Sequence, residues 1–255
     1  MSSQKIFEDV YYEGEIVYYK KVDIQNHNFT ITKNGKFISL EDWNSAVNRL
    51  YPMALKEKHK LFFIRLKEEM RRKSLARLVL QNNPKVVADI GTESGHVTKY
   101  FLNKVDKVYC VDIDPEMVNQ AVKNLSSSKV VGVVTGANKL ELPDNSVDTL
   151  LAASVLEHLP DPVIVIKEFK RVVRKGGRIV ISVPNDLVIV KIKTMLRKFG
   201  ISRILGKLSS GLAMGHIQIF SLRDLCQIAQ SGGNLIKSGY LLPHFLDIYA
   251  VVEVE

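Results

Sequence analysis

Two acids, Asp89 and Asp112, and the glycine-bearing turn beside the first carry the clearest chemistry in this chain. Val86-Val87-Ala88 is a short apolar run that ends in Asp89. The chain then passes Gly91 in a tight loop and reads as a helix opening at about Gly95. A strand, a loop and a helix N-terminus in that order present backbone N–H groups and the positive end of a helix dipole to a ligand. Glycine lets such a loop turn sharply and lets a ligand come close. In an open α/β sheet the ligand lies at the carboxyl ends of the strands, where this loop would sit. Asp112 ends the next apolar run, Val108-Tyr109-Cys110-Val111. A carboxylate there can accept both ribose hydroxyls of a nucleoside.

These residues need a parallel sheet to bring them together, and the rhythm of residues 86–183 supplies one. Strands are expected at Val86–Asp89, Val108–Asp112, Val130–Thr135, Thr149–Ser154 and Arg178–Val183. Helices are expected between them, from Gly95 to about Asn103, from Asp114-Pro115 through Leu125, and from about Asp161 to Val173. Lys175-Gly176-Gly177 reads as a turn before the fifth strand. Repeated strand–helix units imply a parallel sheet with helices on both faces. Ser221-Leu-Arg-Asp224 is a capping box that starts a further helix, which Gly232-Gly233 ends. Two strands close the chain, Leu235–Leu241 and Ile248–Val254.

Asp89-Ile90-Gly91-Thr92-Glu93-Ser94-Gly95-His96-Val97-Thr98 resembles the first motif, Asp-x-Gly-x-Gly-x-Gly, of the Rossmann-like (class I) methyltransferases that use S-adenosylmethionine (SAM). It departs at the middle glycine, which is Glu93 here. A nicotinamide-type Gly-x-Gly-x-x-Gly fits worse, because Gly91 would need glycines at 93 and 96. Leu142 to Asp148, Ser154-Val-Leu-Glu157-His158-Leu-Pro160 and Arg174 to Asn185 also resemble family segments, in the family's order. The resemblance covers residues 85–255. It implies an α/β fold whose seven-stranded sheet is mostly parallel, with the last strand antiparallel and inserted beside the fifth.

The resemblance also assigns roles. SAM, with S-adenosylhomocysteine as product, would be held by Asp89, Gly91, Thr92, Glu93, Gly95, Asp112, Ile113, Gly136, Ala137, Asn138 and Ser154. Many relatives carry an Asp where Gly136 stands, to bond the adenine amino group. Here the amides of Gly136 and Ala137 and the side chain of Asn138 would have to serve. His158 would lie near the methyl-transfer point, where an imidazole can deprotonate an acceptor. Gly215-His216-Ile-Gln-Ile-Phe220 is similar to a motif of small-molecule, glycan and lipid methyltransferases, which places His216 at the acceptor. SAM brings its own electrophile, so positioning supplies much of the acceleration and no metal or catalytic triad is required.

The remaining stretches bear on the acceptor. Residues 1–80 read as an N-terminal extension and 81–255 as the SAM-binding domain. Phe29 to Ile38 alternates around Asn34-Gly35, a two-residue hairpin signal. A short helix follows from Ser39 to about Leu50 and carries Trp43. Residues 52–81 form a long helical pattern rich in Lys and Arg, including Arg65, Arg71, Arg72 and Arg77. Such a face can bind RNA or anionic lipid, and the alternative is the solvated face of a helix packed on the core through a stripe that includes Leu75, Leu78 and Val79. Residues 185–212 interrupt the strand–helix rhythm with apolar positions at helical spacing and Lys191, Lys193, Arg197 and Lys198 between them. This segment reads as a lid, and its 187–208 portion can lie on a membrane surface.

Composition agrees with a globular chain. Length is 255 residues, 46% are hydrophobic and 25% charged, as in ordinary soluble domains. The net charge of +9, from 36 Lys+Arg against 27 Asp+Glu, favours an anionic partner. Cys110 and Cys226 form neither a disulfide framework nor a metal cluster, which suits a reducing cytoplasm. No signal-peptide core follows Met1. The sequence therefore predicts a cytoplasmic SAM-dependent methyltransferase whose acceptor is a small molecule or a lipid-linked substrate. RNA is the second acceptor class. A methyltransferase-like binding module without catalysis is the rival, motivated by Glu93 and Gly136, and SAM calorimetry separates the two.

Overall fold

A computed structural model describes residues 17–18, 31–33, 36–38, 62–159, 161–189, 191, 218–242 and 245–255. The chain divides into two compact units, residues 1–52 with 190–217, and residues 53–189 with 218–255. In the first unit β1 (Val17–Tyr18), β2 (Ile31–Lys33) and β3 (Lys36–Ile38) form a small antiparallel sheet. β2 and β3 pair Lys33 with Lys36, so the expected hairpin is present around Asn34 and Gly35.

The second unit is built on a seven-stranded sheet. Its strands are β4 (Val86–Ile90), β5 (Lys107–Asp112), β6 (Val130–Val134), β7 (Val147–Ala153), β8 (Val173–Pro184), β9 (Asn234–Tyr240) and β10 (Asp247–Glu253). They lie in the order β6-β5-β4-β7-β8-β10-β9. β4 through β8 are parallel, and β10 runs antiparallel to both β8 and β9. The last strand is thus inserted beside the fifth, as expected. The order reverses between β4 and β7, and an open sheet binds ligands at such a switch point.

Burial on both faces explains why the inner strands, such as β4 and β7, are apolar runs rather than alternating ones. One face carries Ile90, Leu150, Ile179, Ile181 and Ile248 in a single buried cluster with helices α3 (Pro162–Val172) and α4 (Leu222–Ala229). The other carries Val87, Val108, Leu151, Val180 and Val251 against α1 (Phe62–Val79), with Ala121 of α2 (Pro115–Leu125) in the same cluster. Local signals start these helices. Asp114 accepts the Glu116 amide at 2.9 Å and Pro115 opens α2. Asp161 accepts the amides of Val163 and Ile164. Ser221 and Asp224 complete the capping box of α4.

Two expectations need correction. Residues 95–103 do not form an α-helix; two short 3₁₀ turns, Thr98–Tyr100 and Leu102–Lys104, stand there. Gly95 is left-handed at φ +79°, β-branched Val97 and Thr98 follow, and the Thr98 hydroxyl is drawn inward to Asp89; each works against a regular helix. Lys175-Gly176-Gly177 does not precede the fifth strand but lies within it. The two-residue step of β7 from Val147 to Thr149 opposes the five-residue step from Val173 to Arg178, a bulge that left-handed Gly176 permits. α1 groups with the sheet because Leu75, Ala76, Leu78 and Val79 are buried against it.

Much of what was expected before α1 lies outside the described residues, namely the helix with Trp43 and the 52–61 portion of the basic pattern. So do His216 and the lid segment from 190 to 212, apart from Lys191. Residues 186–189 form the helical turn that follows β8. Among the described residues no helix is long and apolar enough to cross a membrane.

Candidate cofactor site

Asp89 lies second from the end of β4, on the α1 face, flanked across the sheet by Cys110 and Leu151. Its Oδ2 accepts the hydroxyls of Thr98 (2.5 Å) and Thr92 (3.2 Å). Burial among apolar side chains pushes its carboxyl up to about 6; the two hydroxyls oppose this, and the Asp112 charge adds to it. The same burial, with Asp89 alongside, pushes the Cys110 thiol up to about 12, so it is no nucleophile at neutral pH. Thr92 is buried and faces inward, a brace for the loop.

The loop after β4 is held by its own amides. Those of Gly91 and Thr92 both donate to the Val111 carbonyl, at 2.8 and 3.0 Å, and the Gly95 amide donates to Thr92. The Glu93 amide donates to Asp112 Oδ2 at 3.0 Å. With those donors engaged and no α-helix opening at Gly95, the anion site expected from a helix N-terminus is not built. The loop contributes shape instead. Gly91 is left-handed at φ +67°, and a Cβ there would come within 2.7 Å of Val155. Gly95 has Leu125 side-chain atoms at 2.9 Å in the same sense. Glu93 occupies φ +47°, the region in which glycine is at ease and other residues are strained.

Asp112 closes β5 and is buried. Its Oδ1 accepts the Asp114 amide at 3.0 Å while Oδ2 takes Glu93. Burial raises its carboxyl above the ordinary range, against the pull of these amides. A carboxylate has about four acceptor sites, so capacity remains for hydroxyls. Ile113 is half-buried beside it. Gly136, Ala137 and Asn138 form the turn after β6, closed by Thr135 Oγ1 donating to the Lys139 carbonyl at 2.7 Å. Gly136 and Ala137 are half-buried and Asn138 is exposed, with its Oδ1 2.8 Å from a Cβ on Gly136. β4, β5 and β6 are neighbours, so the three loops stand together at one end of the sheet.

β7 and β8 end at the same edge. Ser154 follows β7 at φ +60°. His158 is half-buried in a 3₁₀ turn, Leu156–His158, with its amide on the Val155 carbonyl at 3.1 Å. Asn185, after β8, is buried and donates from Nδ2 to the Phe245 carbonyl at 3.2 Å.

The described part of the basic helix packs on the core, and two of its arginines turn inward with the apolar stripe. Arg71 and Arg72 are buried, at 4% and 3% exposure. Arg71 Nε donates to Asp247 Oδ1 at 3.0 Å, and its Nη2 donates to Ser154 Oγ at 2.6 Å. Arg71 and Asp247 were not legible as site residues. A run rich in Lys and Arg does not show which of its members turn inward, and only the apolar set Leu75, Leu78 and Val79 marks the buried face. Residues four positions earlier on that face share it, and Arg71 stands four before Leu75.

Residues 88–181 match the family model described as a methyltransferase domain. The chain carries a methyltransferase domain. Among curated proteins, 112 residues are 30% identical to the demethylmenaquinone methyltransferase of Thermotoga maritima, over 43% of this chain and 48% of that one. Another stretch of 115 residues is 31% identical to the ubiquinone/menaquinone C-methyltransferase UbiE of Hahella chejuensis, over 41% and 46%. The matched segment spans less than half the length of each of these relatives. In solved structures the fold recurs in the N-methyltransferase NodS of Bradyrhizobium japonicum, in complex with S-adenosylhomocysteine. That likeness has a TM-score of 0.58, 13% identity, and covers 84% of this chain and 98% of that one. A SAM-dependent methyltransferase of Aquifex aeolicus has a TM-score of 0.52 at 20% identity, covering 83% and 98%. These likenesses show the class I Rossmann-like fold.

The matched residues run from within β4 to within β8, and so hold the three cofactor-side loops whole. α1 and β10, which supply Arg71 and Asp247, lie outside the matched residues.

Proposed function

We infer that the protein transfers a methyl group from SAM to a small-molecule or lipid-like acceptor. The single observation that carries this is the Asp89–Gly91–Asp112 arrangement within the methyltransferase domain. A glycine kept bare by Val155 opens a loop whose Glu93 amide is tied to a buried acid at the next strand end. The residues fit the cofactor. Asp112 has acceptor capacity for ribose hydroxyls, Gly91 and Gly95 keep the loop shallow, and the Gly136–Ala137 turn offers its edge to an adenine. SAM supplies an electrophilic methyl group on a sulfonium.

The chain's own part is to bind, orient and exclude water. Asp112 orients the nucleoside, and the Asp89 braces hold the loop that receives the rest. His158, on the turn after β7, would take a proton from an acceptor hydroxyl or amine. Alignment of bound reactants can supply about 7–11 kcal/mol of a barrier, which suffices without a metal or a covalent intermediate.

The lipid-like acceptor draws on two things. Curated relatives are named for menaquinone and ubiquinone biosynthesis, whose products are apolar. Leu187, on the turn that follows β8, is 47% exposed at the sheet edge where the acceptor would enter. Lys191 is exposed nearby in sequence and opens the basic segment expected to meet a membrane.

Titration calorimetry with SAM and with S-adenosylhomocysteine tests the first half, with saturable binding of both expected. Methyl-tritiated SAM incubated with the protein and a lipid extract tests the second, with label expected in the organic phase. No heat with either nucleoside would overturn the methyltransferase reading. Label only in water-soluble products would overturn the lipid acceptor.

A further inference from the structure

One guanidinium on α1 spans the ends of two strands that are not neighbours. Arg71 reaches Ser154 after β7 and Asp247 at the start of β10, with β8 between them. Its side chain and that of Asp247 are 5% and 7% exposed. A rigid planar fork fixes the directions of two partners at once, whereas a lysine is a point charge on a flexible stem. Burial alone would lower the guanidinium's hold on its proton, but Asp247, Glu68 and Glu157 outweigh it and keep it charged.

The residue it grips on the β7 side is strained. Ser154 is left-handed at φ +60° without being glycine, and its amide donates to the Ser182 carbonyl at 2.8 Å. Such a conformation persists only where its surroundings over-determine it. The next residue is Val155, whose Cγ2 stands 2.7 Å from where a Cβ on Gly91 would lie. The turn at Ser154 therefore presses Val155 onto the glycine of the cofactor-side loop.

We propose that Arg71 is a positioning residue for the cofactor site. By holding Ser154 in its left-handed turn, it sets Val155 against Gly91 and so fixes the loop that Asp89 and Asp112 brace. The device ties the N-terminal helix, outside the matched domain, to the loop inside it. This rests on the methyltransferase reading above.

A double-mutant cycle tests it, because glycine adopts the left-handed region freely and removes the need for the grip. Arg71→Gln is made in the full chain with Ser154 and again with Ser154→Gly. SAM affinity is read by calorimetry, and exchange of the residue-154 amide is read by NMR against that of Leu151 in mid-strand. Arg71→Gln should weaken SAM binding at least tenfold and speed exchange at Ser154 at least tenfold, with Leu151 unchanged. In the Ser154→Gly background the same substitution should cost less than threefold in both. An equal cost in both backgrounds would make Arg71 a packing residue and overturn the proposal. A folded Arg71→Gln protein that binds SAM within twofold of wild type would overturn it while leaving the methyltransferase reading intact. A wild-type chain that binds no SAM would remove both. Should Arg71→Gln fail to fold, Asp247→Asn, which loosens the fork from its other end, must show the same dependence on residue 154.

Discussion

Asp112 does two jobs with one carboxylate. It anchors the amides of Glu93 and Asp114, and it would receive the ribose. Asp112→Asn keeps one acceptor oxygen and should cost roughly 1.5–3 kcal/mol in SAM affinity, the usual worth of hydrogen bonds to a charged group. Calorimetry checks this, and unchanged affinity in a folded variant would remove the ribose from this strand end. Asp89 makes a different prediction. Its carboxyl titrates near 6 when folded against an ordinary 3.8. Below pH 4 both states hold the proton. Between pH 4 and 6 only the folded state does, so its contribution to stability falls as pH rises, by roughly 3 kcal/mol at pH 7. Asp89→Asn should therefore gain about that much on wild type between pH 4 and pH 7 in denaturant unfolding. A pH-independent difference would contradict the burial argument. Glu93 already takes the backbone shape of the glycine it replaces, with its amide bound to Asp112. Glu93→Gly should raise folding stability by up to about 1 kcal/mol, the left-handed strain less the entropy of glycine. It should change SAM affinity by less than about tenfold. A gain of several hundredfold would show that the side chain fills the pocket. The two acids and the glycines were legible because strand ends and tight turns write themselves locally. Arg71 was not, since a charged residue reads as solvated until something shows what it faces.

Elements were legible where a local signal starts or stops them. Asp114-Pro115 opens α2, the Asn34-Gly35 hairpin pairs as its alternation predicts, and the Ser221–Asp224 box starts α4. The segment at 95–103 failed for a reason that lies elsewhere in the chain. Asp89 accepts the Thr98 hydroxyl and the Glu93 amide goes to Asp112, so tertiary bonds outcompete the helix. The bulge at 173–178 was hidden likewise: a Gly-Gly pair looks like a turn, and only the neighbouring strands show the chain passing through it. Asp114 ties element to site, because it caps α2 through Glu116 and lends its own amide to Asp112. Asp114→Ala should cost about 1 kcal/mol of folding stability, the usual worth of an N-cap. It should also weaken SAM binding by loosening the turn that carries Asp112. Equilibrium unfolding and calorimetry on the same preparation check both, and a stability loss with unaltered binding would separate the cap from the site.

At the scale of the molecule, the sheet order followed from strand count and from the family likeness, whereas the extent of the folding unit did not. Residues 1–80 read as an extension because the family likeness begins only at residue 85. Yet α1 puts Leu75, Ala76, Leu78 and Val79 into the cluster that holds Val87, Leu151 and Val180. Four such side chains bury about 6 kcal/mol of apolar stabilisation, against a usual total of about 5–15 for a whole domain. α1 also supplies the guanidinium that reaches Ser154 and Asp247, whose loss would take the Arg71 charge away from a buried carboxylate. The contact boundary near residue 52 thus has an energetic meaning. A chain beginning at Met53 should keep a cooperative thermal transition and bind SAM. One beginning at Gln81 should lose the transition and expose the α1 face of the sheet, seen as dye binding or aggregation. If the shorter chain melts cooperatively near the temperature of the longer one, α1 is an appendage to the sheet.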